Sequence, residues 1–164
     1  ELKFFISKVM KVLMVCLGNI CRSPLAQGIL EKKVAQKGLN VEVDSAATSD
    51  YHIGHEPDSR SISKAAEYGI NITRQRGRQL QNSDFQEFDR IFVMDTSNYS
   101  NTIALTKQEN EIKKVEIILN LINPGSNQSV PDPYFGGEDG FENVYRLLDA
   151  ACDQIIKQIQ NEQS

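Results

Sequence analysis

Length, composition and charge narrow the classes of protein to which this chain can belong. Its 164 residues suit a single domain that can build a hydrophobic core without disulfides or metals. The net charge of −4 at pH 7, with no basic block, argues against nucleic acid as a partner. No stretch approaches the ~18 apolar residues that a membrane span requires. Three cysteines, an odd number, do not suit a secreted disulfide framework, so we expect a cytoplasmic protein that does not bind membranes.

The residues before Met10 are predicted to lie outside the domain. Met10-Lys11 is typical of a natural start, and the short run that precedes it is too charged for a signal sequence. We therefore expect residues 10–164 to form one domain, with residues 1–9 lying upstream of it or coming from a cloning vector.

A strand, a tight loop and the start of a helix are predicted in succession from Val12 onward. The apolar run ends at Cys16, Gly18 and Asn19 bend the chain, and Ser23-Pro24 is typical of a helix cap followed by a first helical residue. In such a loop the backbone N–H groups can point inward, toward the positive end of the following helix dipole. The sequence therefore predicts an anion-binding loop at residues 17–22.

Cys16 and Arg22 give this loop its predicted chemistry. Inward N–H groups and a guanidinium favour the thiolate form of cysteine, which is the nucleophilic form. The planar guanidinium of Arg22 can bind two phosphoryl oxygens and the charge that grows on them in a transition state. Five residues between the cysteine and the arginine make one turn of loop around a tetrahedral anion, and Ser23 can donate its hydroxyl to the leaving thiolate.

The remaining strands and helices alternate along the chain. Strands are predicted over residues 39–45, 90–94 and 114–119, and helices over residues 24–37, 59–68, 96–105 and from 141 to 159. A strand, a helix and a second strand at these lengths form a right-handed parallel crossover. Asp95 follows the third predicted strand, and we expect it to cap the next helix. The pattern predicts an α/β fold with a parallel sheet.

Two loops are candidates for the rest of the site. Tyr51 and His52 lie in the loop after the second predicted strand, where open α/β sheets place their binding loops, and we expect them to offer aromatic surface near the anion-binding loop. A longer loop over residues 120–140 has Asp132-Pro133-Tyr134-Phe135 at its centre, and long loops inside compact domains are usually functional. Asp132 before a proline is also an ordinary turn residue.

Two polar clusters have simpler interpretations. His52 and His55 are expected on the loop surface, because two histidines three apart without a carboxylate or cysteine partner make a poor metal site. We therefore expect no metal and no other cofactor. The alternating Arg74, Arg76 and Arg78 form either a solvated connector or a brace for the anion-binding loop, and the sequence leaves both open.

The string Val-Cys-x-Gly-Asn-Ile-Cys-Arg-Ser-Pro after a strand resembles the low-molecular-weight protein tyrosine phosphatase family, and the resemblance extends from Lys11 to Ile159. It implies a four-stranded parallel twisted sheet with helices on both faces, a Rossmann-type three-layer fold. It also implies metal-independent hydrolysis of phosphotyrosine and small aryl phosphates through a phosphocysteine intermediate.

The resemblance also assigns roles to residues. By motif it makes Cys16 the nucleophile, Arg22 the phosphate ligand and Asp132 the general acid, which then serves as the base that activates water. The other substrate-binding residues that it implies are Leu17, Gly18, Asn19, Ile20, Cys21, Ser23, Tyr51, Tyr134 and Phe135. Among these, Asn19 would hold the loop in shape, and the three aromatic residues would form the wall of the slot that receives a phenyl ring.

Three details of the sequence bear on this resemblance. Gln75 stands where the family commonly has a histidine that braces the loop asparagine, and Ala47 stands where a glycine is usual, so we expect altered loop rigidity with activity retained. Cys21 can reach Cys16 if the loop curls, and we hypothesise a reversible disulfide between them under peroxide. Cys152, on the flank of the last helix, is expected to be inert.

Alternatives to a tyrosine phosphatase remain open. An arsenate reductase of the same fold needs further cysteines downstream, and Cys152 alone is too few. A protein-arginine phosphatase commonly has threonine where this chain has Ile20, and an inactive phosphate-binding module is the third alternative. The expected partners are phosphotyrosine proteins or small aryl phosphates, with inorganic phosphate or another oxyanion in the loop. We expect a monomer, because no apolar surface patch is evident.

Overall fold

Four parallel strands form the centre of the protein in a computed structural model that describes residues 8–133 and 137–163. The strands are β1 (Met10–Cys16), β2 (Val41–Ala47), β3 (Arg90–Val93) and β4 (Val115–Ile117). They lie in the order β2–β1–β3–β4, and each neighbouring pair is parallel. The predicted four-stranded parallel sheet is confirmed. Tyr134 and Phe135, predicted to bind substrate, lie outside the described residues.

Six helices connect and cover the strands within the described part of the chain. They are α1 (Arg22–Lys37), α2 (Ser59–Glu67), α3 (Asp84–Glu87), α4 (Thr96–Ile103), α5 (Glu109–Ile112) and α6 (Gly137–Gln163), with a 3₁₀ turn at Ile118–Leu121 after β4. Gly38 ends α1 in a left-handed conformation that suits glycine, as a helix stop requires. No helix in residues 8–133 or 137–163 combines the length and the apolar character that crossing a bilayer requires.

Both faces of the sheet are covered by helices, because alternate side chains of β1 point to opposite sides. Val12 and Met14 pack in a cluster with apolar residues of α1 and α6. Leu13 and Val15 pack on the other side with Phe85 of α3 and with α4. The prediction of helices on both faces is therefore confirmed.

The site lies between β1 and β3, where the connections that follow two neighbouring strands pass to opposite faces of the sheet. The helix after β1 lies on one face and the helix after β3 lies on the other. Because β1 and β3 are neighbours, the loops that leave their carboxyl ends separate and open a crevice between them. Cys16, at the end of β1, and Asp95, after β3, therefore lie at the same edge of the sheet.

Candidate active site

Cys16 lies at the end of β1 with its sulfur inside the loop that leads into α1. Its side chain is buried, and its Sγ accepts a hydrogen bond from the Asn19 backbone N–H at 3.2 Å and lies 3.0 Å from Ser23 Oγ. Asn19 adopts a left-handed conformation with φ of 57°, which asparagine tolerates better than most residues do. This turn directs the Asn19 N–H back at the sulfur.

The hydrogen bond from Asn19 to Ser23 determines which atom donates in the contact between Ser23 Oγ and Cys16 Sγ. Asn19 Nδ2 donates to Ser23 Oγ at 2.8 Å, and an amide nitrogen can only donate. Ser23 therefore accepts from Asn19 and keeps its own hydrogen for the sulfur of Cys16. The expectation that Ser23 caps α1 is wrong: the helix begins at Arg22, two residues before the predicted first helical residue, and the hydroxyl faces the cysteine instead.

Asn19 also connects the loop to two other parts of the fold. Its Nδ2 donates to Ser45 Oγ of β2 at 2.9 Å, and Ser45 in turn donates to Gln27 Oε1 of α1 at 2.6 Å. Its Oδ1 accepts from the backbone N–H of Arg78 at 3.1 Å. The buried asparagine thus joins α1, β2 and the segment before α3 around the loop.

Arg22 is buried beside the loop and is held by two acceptors. Its Nη1 donates to Asp95 Oδ2 at 2.9 Å and to the carbonyl of Val130 at 3.1 Å. A buried guanidinium needs such partners, because an unpaired buried charge is costly. Asp95 also accepts from the Asn98 N–H at 2.7 Å through Oδ1 and so caps α4 as predicted. Its second role, at Arg22, was missed by the sequence analysis.

A cavity of about 300 Å³ opens above the sulfur. It is lined by Cys16, Leu17, Gly18, Ile20, Cys21, Arg22, Tyr51, His52 and Asp132. The structure thus brings together most of the residues that the sequence singled out, including the exposed Asp132 from a loop more than a hundred residues away. Asn19 and Ser23 support the loop through their hydrogen bonds and are not among the lining residues.

His52 lies beside the anion-binding loop, where the sequence analysis expected the aromatic surface of Tyr51 and His52. Both histidines were expected on the loop surface: His55 is exposed, whereas His52 is partly buried. The His52 ring packs over Gly18 so closely that a Cβ on the glycine would lie 3.1 Å from His52 Cδ2. The absence of a side chain at position 18 therefore lets the imidazole reach the cavity.

The other two cysteines are buried thiols. Cys21 lies in the lining of the cavity, and burial, with the nearby charges of Asp58 and Cys16, raises the pKa of its thiol to about 12. Cys152 is fully buried in α6, and burial raises the pKa of its thiol still further. Both side chains are therefore neutral at physiological pH.

Gln75 and the arginines around it have separate roles. Gln75 Nε2 donates to the Pro24 carbonyl at 3.0 Å, so it contacts the first turn of α1, whereas the backbone of Arg78 holds Asn19. The Arg78 guanidinium is itself held by Asp44 and by both oxygens of Asp84, at 3.0 to 3.1 Å. Of the two interpretations that the sequence left open, Arg78 fits the brace, whereas Arg74 and Arg76 are exposed.

Ala47 occupies the second position at which the sequence departs from the family pattern. It is buried, its N–H donates to the Arg78 carbonyl, and its carbonyl accepts from the Leu80 N–H, both at 2.8 Å. These bonds connect the end of β2 to the segment that carries Arg78. The contacts of Asn19 with Ser45 and Arg78 are formed with alanine at position 47.

Known proteins match this chain over most of its length. The sequence profile of the family described as low molecular weight phosphotyrosine protein phosphatase matches residues 11–164. A protein of that name from Schizosaccharomyces pombe is 39% identical over 156 residues, which cover 93% of this chain and 99% of the yeast protein.

Solved structures agree with the sequence comparisons. A protein tyrosine phosphatase from Entamoeba histolytica, with Hepes in its active site, superposes with a TM-score of 0.87 at 36% identity and covers 94% of this chain and 99% of that one. A Drosophila arginine phosphatase superposes with a TM-score of 0.82 at 33% identity, over 91% of this chain and 97% of its own. The chain therefore belongs to the low molecular weight phosphotyrosine protein phosphatase family.

Proposed function

We propose that this protein hydrolyses phosphotyrosine and small aryl phosphates through a phosphocysteine intermediate, without a metal. The observation that carries the proposal is the environment of the Cys16 sulfur. It faces a cavity, receives hydrogen bonds from the Asn19 N–H and the Ser23 hydroxyl, and lies beside the buried cation of Arg22. These contacts favour the thiolate form of the sulfur, and the cavity above it can hold the phosphorus atom that the thiolate attacks.

In the first step the Cys16 thiolate attacks the phosphorus of the bound ester. A sulfur–phosphorus bond forms as the bond from phosphorus to the phenolic oxygen breaks, while Arg22 and the loop amides bind the non-bridging oxygens. Asp132, which lines the same cavity, delivers its proton to the departing oxygen. Proton delivery of this kind contributes roughly 10²–10⁴-fold to the rate.

In the second step water attacks the phosphocysteine. Asp132, now a carboxylate, takes the proton from the water as the new bond to phosphorus forms. The sulfur–phosphorus bond breaks, and the Ser23 hydroxyl and the Asn19 N–H receive the thiolate that leaves. Inorganic phosphate is released and Cys16 returns to its starting state.

The wall of the cavity supports tyrosine as the substrate residue. Tyr51 and the aliphatic Ile20 line it, and a phenyl ring fits between such apolar surfaces. The shorter side chain of phosphoserine would not bring its phosphate down to Cys16. Three unpaired thiols support a reducing compartment such as the cytoplasm, and we propose that the protein acts there as a monomer.

The test is hydrolysis of p-nitrophenyl phosphate with and without EDTA, compared with a Cys16→Ser variant. We expect activity that survives EDTA, is inhibited by vanadate and is lost in Cys16→Ser. The same substitution at the buried Cys152, which is remote from the cavity lining, is the matched control and should retain activity. Equal activity of Cys16→Ser and wild-type protein would contradict the proposal.

Two further measurements address the acid and the substrate class. Asp132→Ala should slow the hydrolysis of phenyl phosphate far more than that of p-nitrophenyl phosphate, because p-nitrophenolate leaves readily without a proton. Equal losses for both esters would remove Asp132 as the acid. The likeness to an arginine phosphatase makes phosphoarginine the competing substrate. Faster hydrolysis of phosphoarginine peptides than of phosphotyrosine peptides would overturn the substrate class.

A further inference from the structure

The loop that carries Tyr51 and His52 is fastened to the segment before α3 by backbone hydrogen bonds at Gly77. The Gly54 N–H donates to the Gly77 carbonyl, and the Gly77 N–H donates to the His55 carbonyl, both at 2.8 Å. These paired bonds bring the backbone of the loop at residues 51–55 directly against Gly77. One wall of the cavity therefore depends on this contact.

No side chain fits at position 77. A Cβ there would lie 2.4 Å from the His52 carbonyl oxygen and 3.3 Å from the carbonyl carbon, and both of these are backbone atoms that cannot rotate away. Gly77 is absent from the glycines with positive φ, so its backbone dihedrals do not demand glycine. The close approach of the His52 backbone alone requires it.

The segment on the Gly77 side of this contact is firmly held. The Arg78 carbonyl accepts from the Ala47 N–H and the Leu80 N–H donates to the Ala47 carbonyl, both at 2.8 Å, which ties the segment to the end of β2. The Arg78 guanidinium is bound by Asp44 and Asp84. Movement of this segment would break several hydrogen bonds at once.

The loop on the other side of the contact is much freer. Tyr51 is 71% exposed and Ile53 is 54% exposed, so few packing contacts hold them. A group added at position 77 would therefore displace the loop at residues 51–55 and leave the Gly77 segment in place. Local displacement occurs most readily where buried contacts are fewest.

His52 transmits this displacement to the cavity, because it lies between two glycines. Its carbonyl meets Gly77, and its ring meets Gly18 of the anion-binding loop. The distance between the wall of Tyr51 and His52 and the loop that binds the anion is therefore set by the absence of side chains at both positions. A wall held this close leaves a narrow slot.

We propose that Gly77 is a specificity-determining residue, which sets the width of the slot between the wall of Tyr51 and His52 and the anion-binding loop. The slot then selects esters of a single flat ring, such as phosphotyrosine, over esters of wider ring systems. This inference rests on the proposed phosphatase function and adds to it the residue that restricts the leaving group.

The test compares Gly77→Ala with wild-type protein on phenyl phosphate and 2-naphthyl phosphate. The added methyl group should move the wall outward, raise KM for phenyl phosphate more than it lowers kcat, and shift the ratio of kcat/KM values toward the naphthyl ester by about tenfold, as is typical of a change of one methyl group in an apolar pocket. Arg74→Ala, an exposed change three residues away, is the control and should leave the ratio unchanged.

A double mutant cycle separates the wall from a general loss of structure. In protein that carries Tyr51→Ala and His52→Ala, the wall is already absent, so Gly77→Ala should produce no further change in the ratio. A folded Gly77→Ala protein with the wild-type ratio would overturn the inference, and so would a Gly77→Ala protein that fails to fold while Arg74→Ala folds, because the loop at residues 51–55 must be able to yield. If wild-type protein hydrolyses neither ester, the proposed function itself fails.

Discussion

In the proposed mechanism, the Ser23 hydroxyl assists the sulfur of Cys16 as it leaves the phosphocysteine. Because Asn19 donates to its oxygen, its hydrogen is directed at Cys16. A hydrogen bond to a charged acceptor contributes about 1.5–3 kcal/mol, and this one is worth most when the thiolate is the leaving group. The effect of Ser23 should therefore fall on the second chemical step.

Ser23→Ala tests this assignment. We expect kcat to fall by about 10- to 100-fold, because each 1.4 kcal/mol of lost stabilisation is a factor of ten in rate. Since the first step is less affected, rapid mixing with p-nitrophenyl phosphate should show a burst of p-nitrophenol before the slow steady state. A loss of the same size with no burst would place Ser23 in the first step instead. Ser63→Ala, on the exposed face of α2, is the control.

We hypothesise that Cys21 protects Cys16 from oxidation. Both cysteines line the same cavity, and the Cys21 thiol is protonated because its pKa is raised to about 12. Peroxide would oxidise the Cys16 thiolate to a sulfenic acid, and the Cys21 thiol would then condense with it to form a disulfide and release water. Thiols reduce a disulfide back to two cysteines, whereas they do not reduce a sulfinic acid.

The prediction is that wild-type protein inactivated by peroxide recovers fully with dithiothreitol. Cys21→Ser protein should lose activity irreversibly under the same treatment, whereas Cys152→Ser should behave as wild type. Mass mapping of the treated wild-type protein should find residues 16 and 21 in one disulfide. Two free thiols at these positions after inactivation would contradict the hypothesis.

At the scale of elements, the turn from β3 to α4 connects the architecture to the chemistry. Asp95 uses one carboxylate oxygen to cap α4 and the other to bind Arg22. An aspartate can do both because each oxygen accepts a hydrogen bond, whereas asparagine has only one acceptor. The two roles can therefore be separated by a single substitution.

Asp95→Asn should reduce kcat/KM by about 10- to 100-fold with little loss of stability. Asparagine caps helices as well as aspartate does, but its amide NH₂ would face the Arg22 guanidinium and displace it. Steady-state kinetics and urea denaturation measure the two effects separately. Asp58→Asn, at the cap of α2, is the matched control and should change neither quantity much. Wild-type kcat/KM in Asp95→Asn would show that Arg22 does not depend on this carboxylate.

Strands and helices long enough to repeat a hydrophobic period could be predicted from the sequence, whereas helices of a single turn could not. The run that ends at Cys16 and the stop at Gly38 correctly predicted where β1 and α1 end. The four residues of α3 and of α5 make one turn each, which is too short for a helical period to appear.

At the scale of the whole molecule, the contacts that sequence reasoning missed are those between segments that lie far apart in the chain. Arg22 meets Asp95 across 73 residues of chain, and Asn19 meets the backbone of Arg78 across 59. His52 reaches the cavity because Gly18 and Gly77 leave room for it. Such contacts follow from the order of the strands, which no local pattern contains. Cys16, Arg22 and Asp132, which line one cavity, could be singled out because motifs mark them.

A site assembled from distant segments exists only in the folded molecule, so an anion that binds there must stabilise the fold. Inorganic phosphate at 100 times its dissociation constant should raise the free energy of unfolding by about 2.7 kcal/mol. For a protein of this size the melting temperature should rise by about 5–11 °C, because each 1 kcal/mol corresponds to roughly 2–4 °C.

Phosphate also stabilises proteins in general through its exclusion from their surface, and that effect grows steadily with concentration without saturating. Specific binding should instead saturate, and it should disappear in Arg22→Ala while persisting in Arg76→Ala, which removes an exposed charge outside the cavity. The melting temperatures of the three proteins, measured by calorimetry at constant ionic strength, distinguish the two effects. An unsaturating rise of the same size in Arg22→Ala would show that the loop, α1 and the turn after β3 do not form an anion site together.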